Sequence, residues 1–375
     1  MHEGETRDLH ETVHHFLTCS CDVSAERPSD VLDTNVCLSY SSSLHQSAMA
    51  SSSNSSCVVN DNMEPFAAMY IVIFLVGMAG SLVSLWAFIR GRATKKCMSV
   101  YLINLLTSDF LLMLALPFKI AKDLGVDSVP FSVFQCQCSS VLIYINMYAS
   151  ITFLAFVSMN RYLQITQSSR LLHLQEPCFA GVMSAVVWLL VLFINVPNMA
   201  IPIEEKLPEA PFGCADLKTQ LGKHWHLLSV FLGMAIFLNA SAALFLSNGL
   251  VLKQLWGRRH AEPAERASVR QATVSIATVT GAYVLCFVPY HAVRMPYTFT
   301  QTNFIEDCEL HRSLFLAKES TLLLAILHLC FDPVLYFYLS SSVRLKVTGV
   351  LSSMRSRAGD KEMAPAPELE QKLEP

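Results

Sequence analysis

Seven stretches of the chain are each long and apolar enough to cross a lipid bilayer as a helix. A hydrocarbon core about 30 Å thick needs about 20 apolar residues in helical conformation. The stretches lie at about residues 66–89, 98–122, 136–165, 179–201, 224–255, 269–297 and 315–339. Only 15% of the residues are charged, against about 25% in soluble domains. The sequence therefore predicts an all-α membrane protein built as a seven-transmembrane-helix bundle.

The distribution of lysine and arginine predicts the orientation, because loops rich in these residues stay in the cytoplasm. The first and fifth connections and the segment after the seventh span are basic, with Arg92, Arg258 and Arg344 among their residues. The fourth and sixth connections are more acidic, with Glu204 and Glu306. We therefore expect a multi-pass plasma-membrane protein with an extracellular N-terminus and a cytoplasmic C-terminus.

The N-terminal segment, residues 1–65, is expected to be extracellular and largely disordered. Asn54 begins the sequence Asn-Ser-Ser, which is an acceptor for N-linked glycosylation. Residues 1–48 have little apolar content. We expect this stretch to be disordered or absent from the mature protein, with Met49 as the usual start.

The C-terminal segment follows a receptor domain predicted at residues 66–339. Val343 and Val347 recur at helical spacing among basic residues. This pattern predicts an amphipathic cytoplasmic helix at residues 340–354, lying on membrane lipid, and a frayed tail is the alternative. Residues 355–375 are rich in Pro, Glu and Ala, a composition typical of disorder.

Polar residues inside the spans predict a buried cation site. Asp109 lies within span two, Asn146 and Ser150 are one turn apart on span three, and Asp332 lies in span seven. Ionisable groups at this depth are costly and commonly functional. If these side chains converge, they provide oxygen ligands for a sodium ion. A water-filled hydrogen-bond network without an ion is the alternative.

Arginine and proline residues in the spans indicate helices that can move. Arg161 ends span three, and Pro289 and Pro333 interrupt the backbone hydrogen bonds of spans six and seven. Proline is a common cause of helix kinks. As an alternative, Arg161 anchors the helix by reaching the lipid headgroups, and the kinks carry no function.

Taken in order, these motifs resemble the rhodopsin family of G-protein-coupled receptors, over about residues 57–353. The matching residues are Asp109, Arg161-Tyr162, Trp188, Phe287-Val288-Pro289-Tyr290 and Asp332-Pro333-x-x-Tyr336. Within that family the chain resembles the purinergic nucleotide-receptor-like cluster. The residues that carry this second resemblance are Pro289-Tyr290-His291-x-x-Arg294 and Lys318-Glu319-Ser320-Thr321-Leu322.

The resemblance implies a receptor, and not an enzyme, that transmits an extracellular signal to a heterotrimeric G protein of the inhibitory class. Arrestin is a further expected partner, and no nucleic-acid partner is expected. The residues implied in coupling and switching are Arg161, Tyr162, Phe287, Pro289, Asp332, Pro333 and Tyr336. The resemblance also implies the disulfides Cys136–Cys214 and Cys57–Cys308, with Cys138 as a competitor for the place of Cys136.

The chain departs from the family pattern at several positions. Ser81 stands where most members have Asn, and Asn160 replaces the usual acid before Arg161. Asn248 replaces a Tyr in span five, and His328 stands where Asn or Ser is usual. These departures leave G-protein coupling as the expectation but make the details of switching different from those of the family.

The outer third of the predicted bundle is basic, which favours a ligand with an anionic group. The expected ligand-binding residues are Lys119, Tyr144, His226, His291, Arg294 and Lys318. A nucleotide-like molecule, a lysophospholipid and a peptide carboxylate each fit this expectation. In the alternative interpretation, Asp123, Glu309 and Glu319 neutralise the cations internally.

Two other functions compete with the receptor interpretation. A ligand-independent or heterodimer-partner scaffold on the same fold is the runner-up. A transporter or channel is less favoured, because the sequence has no evident internal repeat of the kind that many transporters carry.

Overall fold

The computed structural model describes residues 62–90, 96–126, 128–166, 174–204, 214, 217–258, 263–301, 307–340, 343–350 and 352–353. Seven of the described helices are long and apolar enough to cross a membrane. They are α1 (Glu64–Arg90), α2 (Cys97–Asp123), α3 (Val129–Thr166), α4 (Pro177–Ala200), α5 (Gln220–Gly257), α6 (Pro263–Gln301) and α7 (Cys308–Leu339). The predicted seven-helix bundle is confirmed.

Helices α3 and α7 each begin seven residues earlier than predicted, at residue 129 against 136 and at residue 308 against 315. Helix α7 begins at Cys308 because the carboxylate of Asp307 accepts hydrogen bonds from the backbone N–H groups of Glu309 and Leu310, which caps the helix. Helix α3 begins at Val129, with Pro130 in its first turn, a position that suits proline. The start of α7 is polar, with Glu309, His311 and Arg312, so an apolar-window criterion misses it. The start of α3 is mostly apolar, but the polar Gln135 separates it from the predicted span.

A π-helical turn at Gln135–Ser139 interrupts α3. Such turns accommodate one extra residue and are frequent at functional sites. The hydroxyl of Ser139, which is buried, donates to the carbonyl oxygen of Ala115 on α2 at 2.9 Å. The π turn is therefore fixed against α2, and it sets the direction of the cysteines that it contains.

One continuous core joins all seven helices. Its buried members include Tyr70, Leu105, Phe153, Val187, Leu244, Phe287 and Tyr336. The outward surfaces are apolar, and Ile89 and Leu189 are 72% and 70% exposed. Apolar groups on both the inner and the outer surface are what a helix bundle in lipid requires.

Glycines set the closest helix contacts. A Cβ atom added at Gly77 or Gly80 on α1 would collide with Leu329 or Pro333 of α7. A Cβ at Gly233 on α5 would collide with the ring of Tyr148 on α3. Small residues allow membrane helices to approach closely, so these positions fix how α1 meets α7 and how α5 meets α3.

Residues 343–350 are helical and follow α7. Val343 lies in the core of the bundle, and Val347 packs against it. Lys346 is exposed. These residues lie within the segment for which an amphipathic cytoplasmic helix is expected, and its position on membrane lipid stays a prediction. Residues 1–61 and 354–375, which include Asn54, lie outside the described residues, so the predictions made for them stay predictions.

Candidate functional site

A disulfide bond marks one end of the bundle, here called the disulfide end. Cys136 and Cys214 are joined, with their Cα atoms 5.4 Å apart, which confirms the expected pair. Cys138 is a free thiol. Cys308 is also disulfide-bonded, and its expected partner, Cys57, lies outside the described residues.

Next to the disulfide, the segment that precedes α5 forms the wall of a small crevice. Ile203 and Lys218 form an isolated antiparallel β-bridge. The ammonium of Lys218 donates to the side-chain oxygen of Asn198 at 3.2 Å. The crevice is also lined by Cys136 and Cys214. Lys218 is therefore anchored at the disulfide end, close to the expected ligand-binding region.

Two of the predicted basic residues are neutralised within the bundle. The ammonium of Lys119 lies 2.7 Å from the carboxylate of Asp123 and 3.1 Å from that of Glu319. Lys318 forms an ion pair with Glu319. Two cations and two carboxylates balance, so this cluster has no surplus charge with which to attract an anion.

Arg294 differs from these two lysines, because among the described residues no carboxylate pairs with it. The residue is only 4% exposed. Its guanidinium lies 3.2 Å from Nε2 of His226, and 5.4 Å and 5.9 Å from the ring centroids of Tyr144 and Tyr297. Aromatic faces attract a cation but do not neutralise it. A buried guanidinium in this setting is suited to an anionic ligand.

His291 lies one turn from Arg294 but belongs to an aromatic cluster. Its ring stacks on Phe237, with the centroids 3.9 Å apart and the planes 3° from parallel. The rings of Tyr148 and Tyr290 approach it edge-on. His291 and these three rings are here called the aromatic floor, because they lie next to Arg294 on its inner side. Nε2 of His291 has no hydrogen-bond partner.

Lys218 is a basic residue that the sequence prediction missed. Burial, together with the positive charge of Arg294, lowers the pKa of Lys218 from 10.5 to about 8. The residue lies just before α5, outside every predicted span, and the surrounding sequence is mixed in charge. No pattern of spacing or hydropathy indicates that it approaches Arg294, because the fold of the connecting segment brings them together.

The middle of the bundle holds an acidic cluster with a histidine inside it. Asp109, His328 and Asp332 are buried, and one ligand atom from each lies within 4.8 Å of the others. The imidazole Nε2 of His328 is 3.8 Å from Asp109 and 3.9 Å from Asp332. The hydroxyl of Tyr336 donates to the second oxygen of Asp109 at 2.6 Å. The structure thus brings the two predicted carboxylates together.

The two predicted residues of α3 bind neighbours of this cluster. The side-chain amide of Asn146 donates to the hydroxyl of Ser150 at 3.4 Å. That hydroxyl is 3.1 Å from the hydroxyl of Ser108, the residue before Asp109. The sequence analysis identified the oxygen-bearing residues, but it noted His328 only as a departure from the family pattern. The spacing of four residues between His328 and Asp332 could have indicated that the two side chains lie on one helix face.

The end of the bundle opposite the disulfide carries Arg161. Its Nε has no hydrogen-bond partner, and no described carboxylate pairs with it. The amide nitrogen of Asn160 lies 3.9 Å from the sulfur of Met98, and its oxygen is unpartnered. Asn248 donates to Thr280 on α6 at 2.8 Å. The usual charge pair of Arg161 is therefore replaced by neutral contacts made by its neighbours.

The remaining predicted switching residues lie along α3, α6 and α7. Tyr162 packs against the cluster of Val251, Leu255 and Ile276. The ring of Phe287 is 5.2 Å from that of His328. Pro289 and Pro333 lie inside α6 and α7. Phe287 thereby connects the aromatic floor to the acidic cluster.

Comparison with known proteins agrees with this arrangement. Residues 80–336 match the 7 transmembrane receptor (rhodopsin family) model. The chain is 50% identical to G-protein coupled receptor 171 of Bos taurus, over 83% of this chain and 97% of that protein. It is 50% identical to the Homo sapiens protein of the same name, over 82% and 95%. It is 32% identical to purinoceptor 13 of Homo sapiens, over 78% and 81%.

The seven spans, the confirmed disulfide and the ordered motifs of α2, α3, α6 and α7 agree with these similarities. The relatives are receptors and not enzymes. The chain therefore belongs to the rhodopsin family of seven-transmembrane receptors, and it is a multi-pass G-protein-coupled receptor of the plasma membrane.

Proposed function

We propose that this receptor recognises a ligand with an anionic group at the disulfide end and signals to a heterotrimeric G protein of the inhibitory class. The proposal depends on one observation above all. Arg294 is a buried guanidinium without a described carboxylate partner, whereas Lys119 and Lys318 are already paired. A desolvated guanidinium binds a phosphate or a carboxylate through two parallel hydrogen bonds.

The direction of signalling is part of this proposal. The disulfide end would face the extracellular side, where disulfides form and persist. The Arg161 end would face the cytoplasm, in agreement with the basic connections. Arrestin would bind at the same cytoplasmic end.

The ligand classes compatible with one guanidinium and a nearby lysine are a nucleotide-like molecule, a lysophospholipid and a peptide with a free carboxylate. The purinoceptors among the relatives support the first class, since their name describes receptors for purines. The balanced cluster of Lys119, Lys318, Asp123 and Glu319 would then form a neutral rim. Specificity would depend on the groups beyond the anion.

Guanine-nucleotide exchange on an inhibitory G protein, measured in membranes that contain the receptor, tests the proposal. The three ligand classes are screened in parallel for inhibition of cyclic AMP formation. We expect at least one class to stimulate exchange through the receptor. A ligand-independent scaffold, the runner-up, predicts no ligand-stimulated exchange with any of them.

We also propose that the acidic cluster in the middle of the bundle binds sodium. Asp109 and Asp332 would supply charge, and Asn146 and Ser150 would supply neutral oxygens. The buried carboxylates and their unpartnered oxygens support this, because an isolated charge at this depth needs compensation. Replacing sodium by choline at constant ionic strength should lower the thermal stability of the purified receptor.

Lys218 makes agonist potency depend on pH. With a pKa of about 8, Lys218 is mostly charged near pH 7 and loses its charge as the pH rises to about 9. Arg294 keeps its charge over this range, and a histidine such as His226 ordinarily titrates below it. We therefore expect the potency of an anionic agonist to fall about fivefold between these two pH values, as for an interaction of about 1 kcal/mol.

The matched control for this pH effect is Lys218→Arg, which keeps the charge at both pH values. Potency in the Lys218→Arg receptor should change little from pH 7 to pH 9, measured as inhibition of cyclic AMP. An equal fall in the two receptors would contradict the role given to Lys218.

The neighbours of Arg161 predict raised signalling without ligand. Asn160 carries no charge, so the inactive state lacks the charge-assisted bond that normally restrains Arg161, and such bonds are about twice as strong as neutral ones. Asn248 stands in place of a tyrosine whose hydroxyl supports the active state in the family. Losing this neutral hydrogen bond should destabilise the active state less than the missing charge pair destabilises the inactive state. A ligand-free equilibrium follows the difference between such losses. We expect Asn160→Asp to lower basal signalling and Asn248→Tyr to raise it.

Ligand-free inhibition of cyclic AMP, at matched surface expression, measures this effect. Asn239→Tyr is the control for Asn248→Tyr, because Asn239 is an exposed residue of the same helix. It should leave basal signalling unchanged. If Asn160→Asp has no effect on basal signalling, the explanation based on the missing charge pair is wrong.

A further inference from the structure

The guanidinium of Arg161 has unused hydrogen-bonding capacity at the end of the bundle opposite the disulfide. Its Nε is buried and has no hydrogen-bond partner. No carboxylate of the described residues forms an ion pair with it. A donor that has lost its water costs free energy until an acceptor replaces that water. A charged acceptor stabilises a guanidinium most, because charge-assisted hydrogen bonds are the strongest.

A second guanidinium increases the demand for an anion at this place. Arg344, in the helical segment that follows α7, is close enough for its positive charge to act on Arg161. Its side chain is partly buried, and among the described residues no carboxylate pairs with it either. Like charges repel, and burial strengthens the repulsion because less water screens it. One carboxylate in contact with both side chains would replace this repulsion by two attractions.

The surface around Arg161 and Arg344 is basic as well. Among the charged side chains described at this end, the only acid is Glu176, and the other cations are Arg90, Lys96, Lys253, Arg258, Arg266, Arg270 and Lys346. Exposed cations of this kind keep their water and gain little from an ion pair. The surface therefore attracts an anionic segment in general, and Arg161 with Arg344 is the place where a carboxylate gains most.

The chain itself carries an acidic segment that can reach this place. Residues 358–375, here called the acidic tail, contain Asp360, Glu362, Glu368, Glu370 and Glu374 against Lys361 and Lys372. Glu368 follows residue 353, the last one that the structure describes, by 15 positions. Such a stretch spans up to about 50 Å when extended. A helix with its side chains is about 10 Å across, so the carboxylates can reach past several helices.

Attachment to the same chain favours the acidic tail over a free anion or a lipid headgroup. A group tethered through a short linker has an effective concentration in the millimolar range. The cytoplasmic leaflet of a membrane is itself negatively charged, so it repels acidic residues and leaves them near the basic end of the bundle. The tail also contains no Ser, Thr or Tyr, so its charge does not depend on phosphorylation.

We propose that Arg161 and Arg344 form a carboxylate-binding site whose occupant is the acidic tail of the same chain. A bound glutamate would restrain Arg161 in the inactive state, a role that the uncharged Asn160 does not fill. Glu368, Glu370 and Glu374 are the expected ligands. The contact is autoinhibitory, and it rests on the proposed function in that the Arg161 end faces the cytoplasm and binds the G protein, which would displace the tail.

Crosslinking with a water-soluble carbodiimide tests the contact without a ligand or a G protein. The reagent joins an amine to a carboxylate when the two are in contact. In the full-length receptor in nanodiscs of uncharged lipid, Arg161→Lys should give a crosslink between position 161 and the acidic tail, identified by mass spectrometry. Arg344→Lys should give a crosslink at position 344, and it serves where Arg161→Lys fails to fold.

Two controls establish that the crosslink reports this site. Arg258→Lys places an amine at an exposed position just after α5, and its yield should be at least about fivefold lower, since exposed ion pairs are weak. Replacing Glu368, Glu370 and Glu374 together by Gln should abolish the crosslink at position 161. A yield at 161 no higher than at 258, or a crosslink that survives the Gln replacements, would overturn the contact.

The consequence of the contact is measured as ligand-free inhibition of cyclic AMP at matched surface expression. Truncation after residue 357 should raise it about twofold to fivefold, the range for a partly exposed ion pair. The three Glu→Gln replacements should raise it equally, whereas Lys361→Gln with Lys372→Gln should not raise it. Truncation removes no phosphorylation site, so its effect does not come from lost phosphorylation of the tail.

Asn160→Asp separates restraint of Arg161 from a general effect of the tail. It supplies a carboxylate beside Arg161 within the bundle, so truncation should then add little, because two changes that act on one group are not additive. An equal rise on truncation in Asn160→Asp and in the unmodified receptor would overturn the restraint. A crosslink at position 161, in a receptor with no signalling in any variant, would support the contact and count against the G-protein proposal alone.

Discussion

Replacing Cys136 by serine is expected to abolish surface expression of the receptor, whereas Cys138→Ser should leave most of it. The disulfide closes a loop between residues 78 positions apart. The entropic contribution of such a cross-link is about 4 kcal/mol, and in practice often less. That is a large share of the total stability of a typical protein, so its loss should cause retention and degradation inside the cell.

Surface and total expression are compared by antibody binding to intact and permeabilised cells. Cys138→Ser is a matched control, because Cys138 lies in the same π turn and is a free thiol. Cys214→Ser should behave like Cys136→Ser, and the double variant should be no worse than either. Normal surface expression of Cys136→Ser with loss in Cys138→Ser would show that the other cysteine forms the bond in cells.

The spans of the bundle were predictable from the sequence because lipid imposes a length and a composition on each helix. Two helix starts escaped this criterion. Helix α7 begins at Cys308 through the cap made by Asp307, and α3 begins at Val129. The start of α7 is polar, whereas the start of α3 is mostly apolar but is followed by the polar Gln135. The positions of helices along the chain were thus well predicted where hydropathy determines them. They were less well predicted at the start of α7, which a capping residue determines.

The residue types at the ligand site were predictable from the sequence, but the ion pairs between them were not. The basic character of the ligand region is visible in Lys119, Arg294 and Lys318, but the sequence does not say which cation a carboxylate neutralises. In the structure Glu319 contacts both lysines and leaves Arg294 uncompensated. That distinction depends on the packing of α2, α6 and α7 against one another, which no local pattern encodes.

The cluster in the middle of the bundle shows the same limit. Asp109 and Asp332 were expected to supply oxygen ligands to one ion if they converge, and they lie together with His328. A contact between Nδ1 of that histidine and the carbonyl oxygen of Ala325, within the same helix, orients its ring. A departure from a family pattern therefore signals a changed site, and the hydrogen bonds around the departing residue then show the chemistry of the change.

Arg294→Ala should reduce agonist potency more than any other substitution at the ligand site, without changing surface expression. Removing one partner of a desolvated charge pair costs about 2–5 kcal/mol of binding, which is about 30-fold to several thousand-fold in affinity. Lys318→Ala should cost less, because Lys318 already pairs with Glu319, and Glu319 would keep Lys119 as a partner. Potency is measured as inhibition of cyclic AMP at matched surface expression.

Arg294→Lys distinguishes geometry from charge at this position. Lysine keeps the positive charge but cannot form the bidentate contact of a guanidinium, so potency should return only in part. The rings of Tyr144 and Tyr297 would still attract the cation, as they do the guanidinium. Full recovery in Arg294→Lys would indicate a site that recognises charge alone. An agonist indifferent to substitution at both Arg294 and Lys318 would overturn the anionic-ligand proposal, because that proposal depends on the buried guanidinium of Arg294.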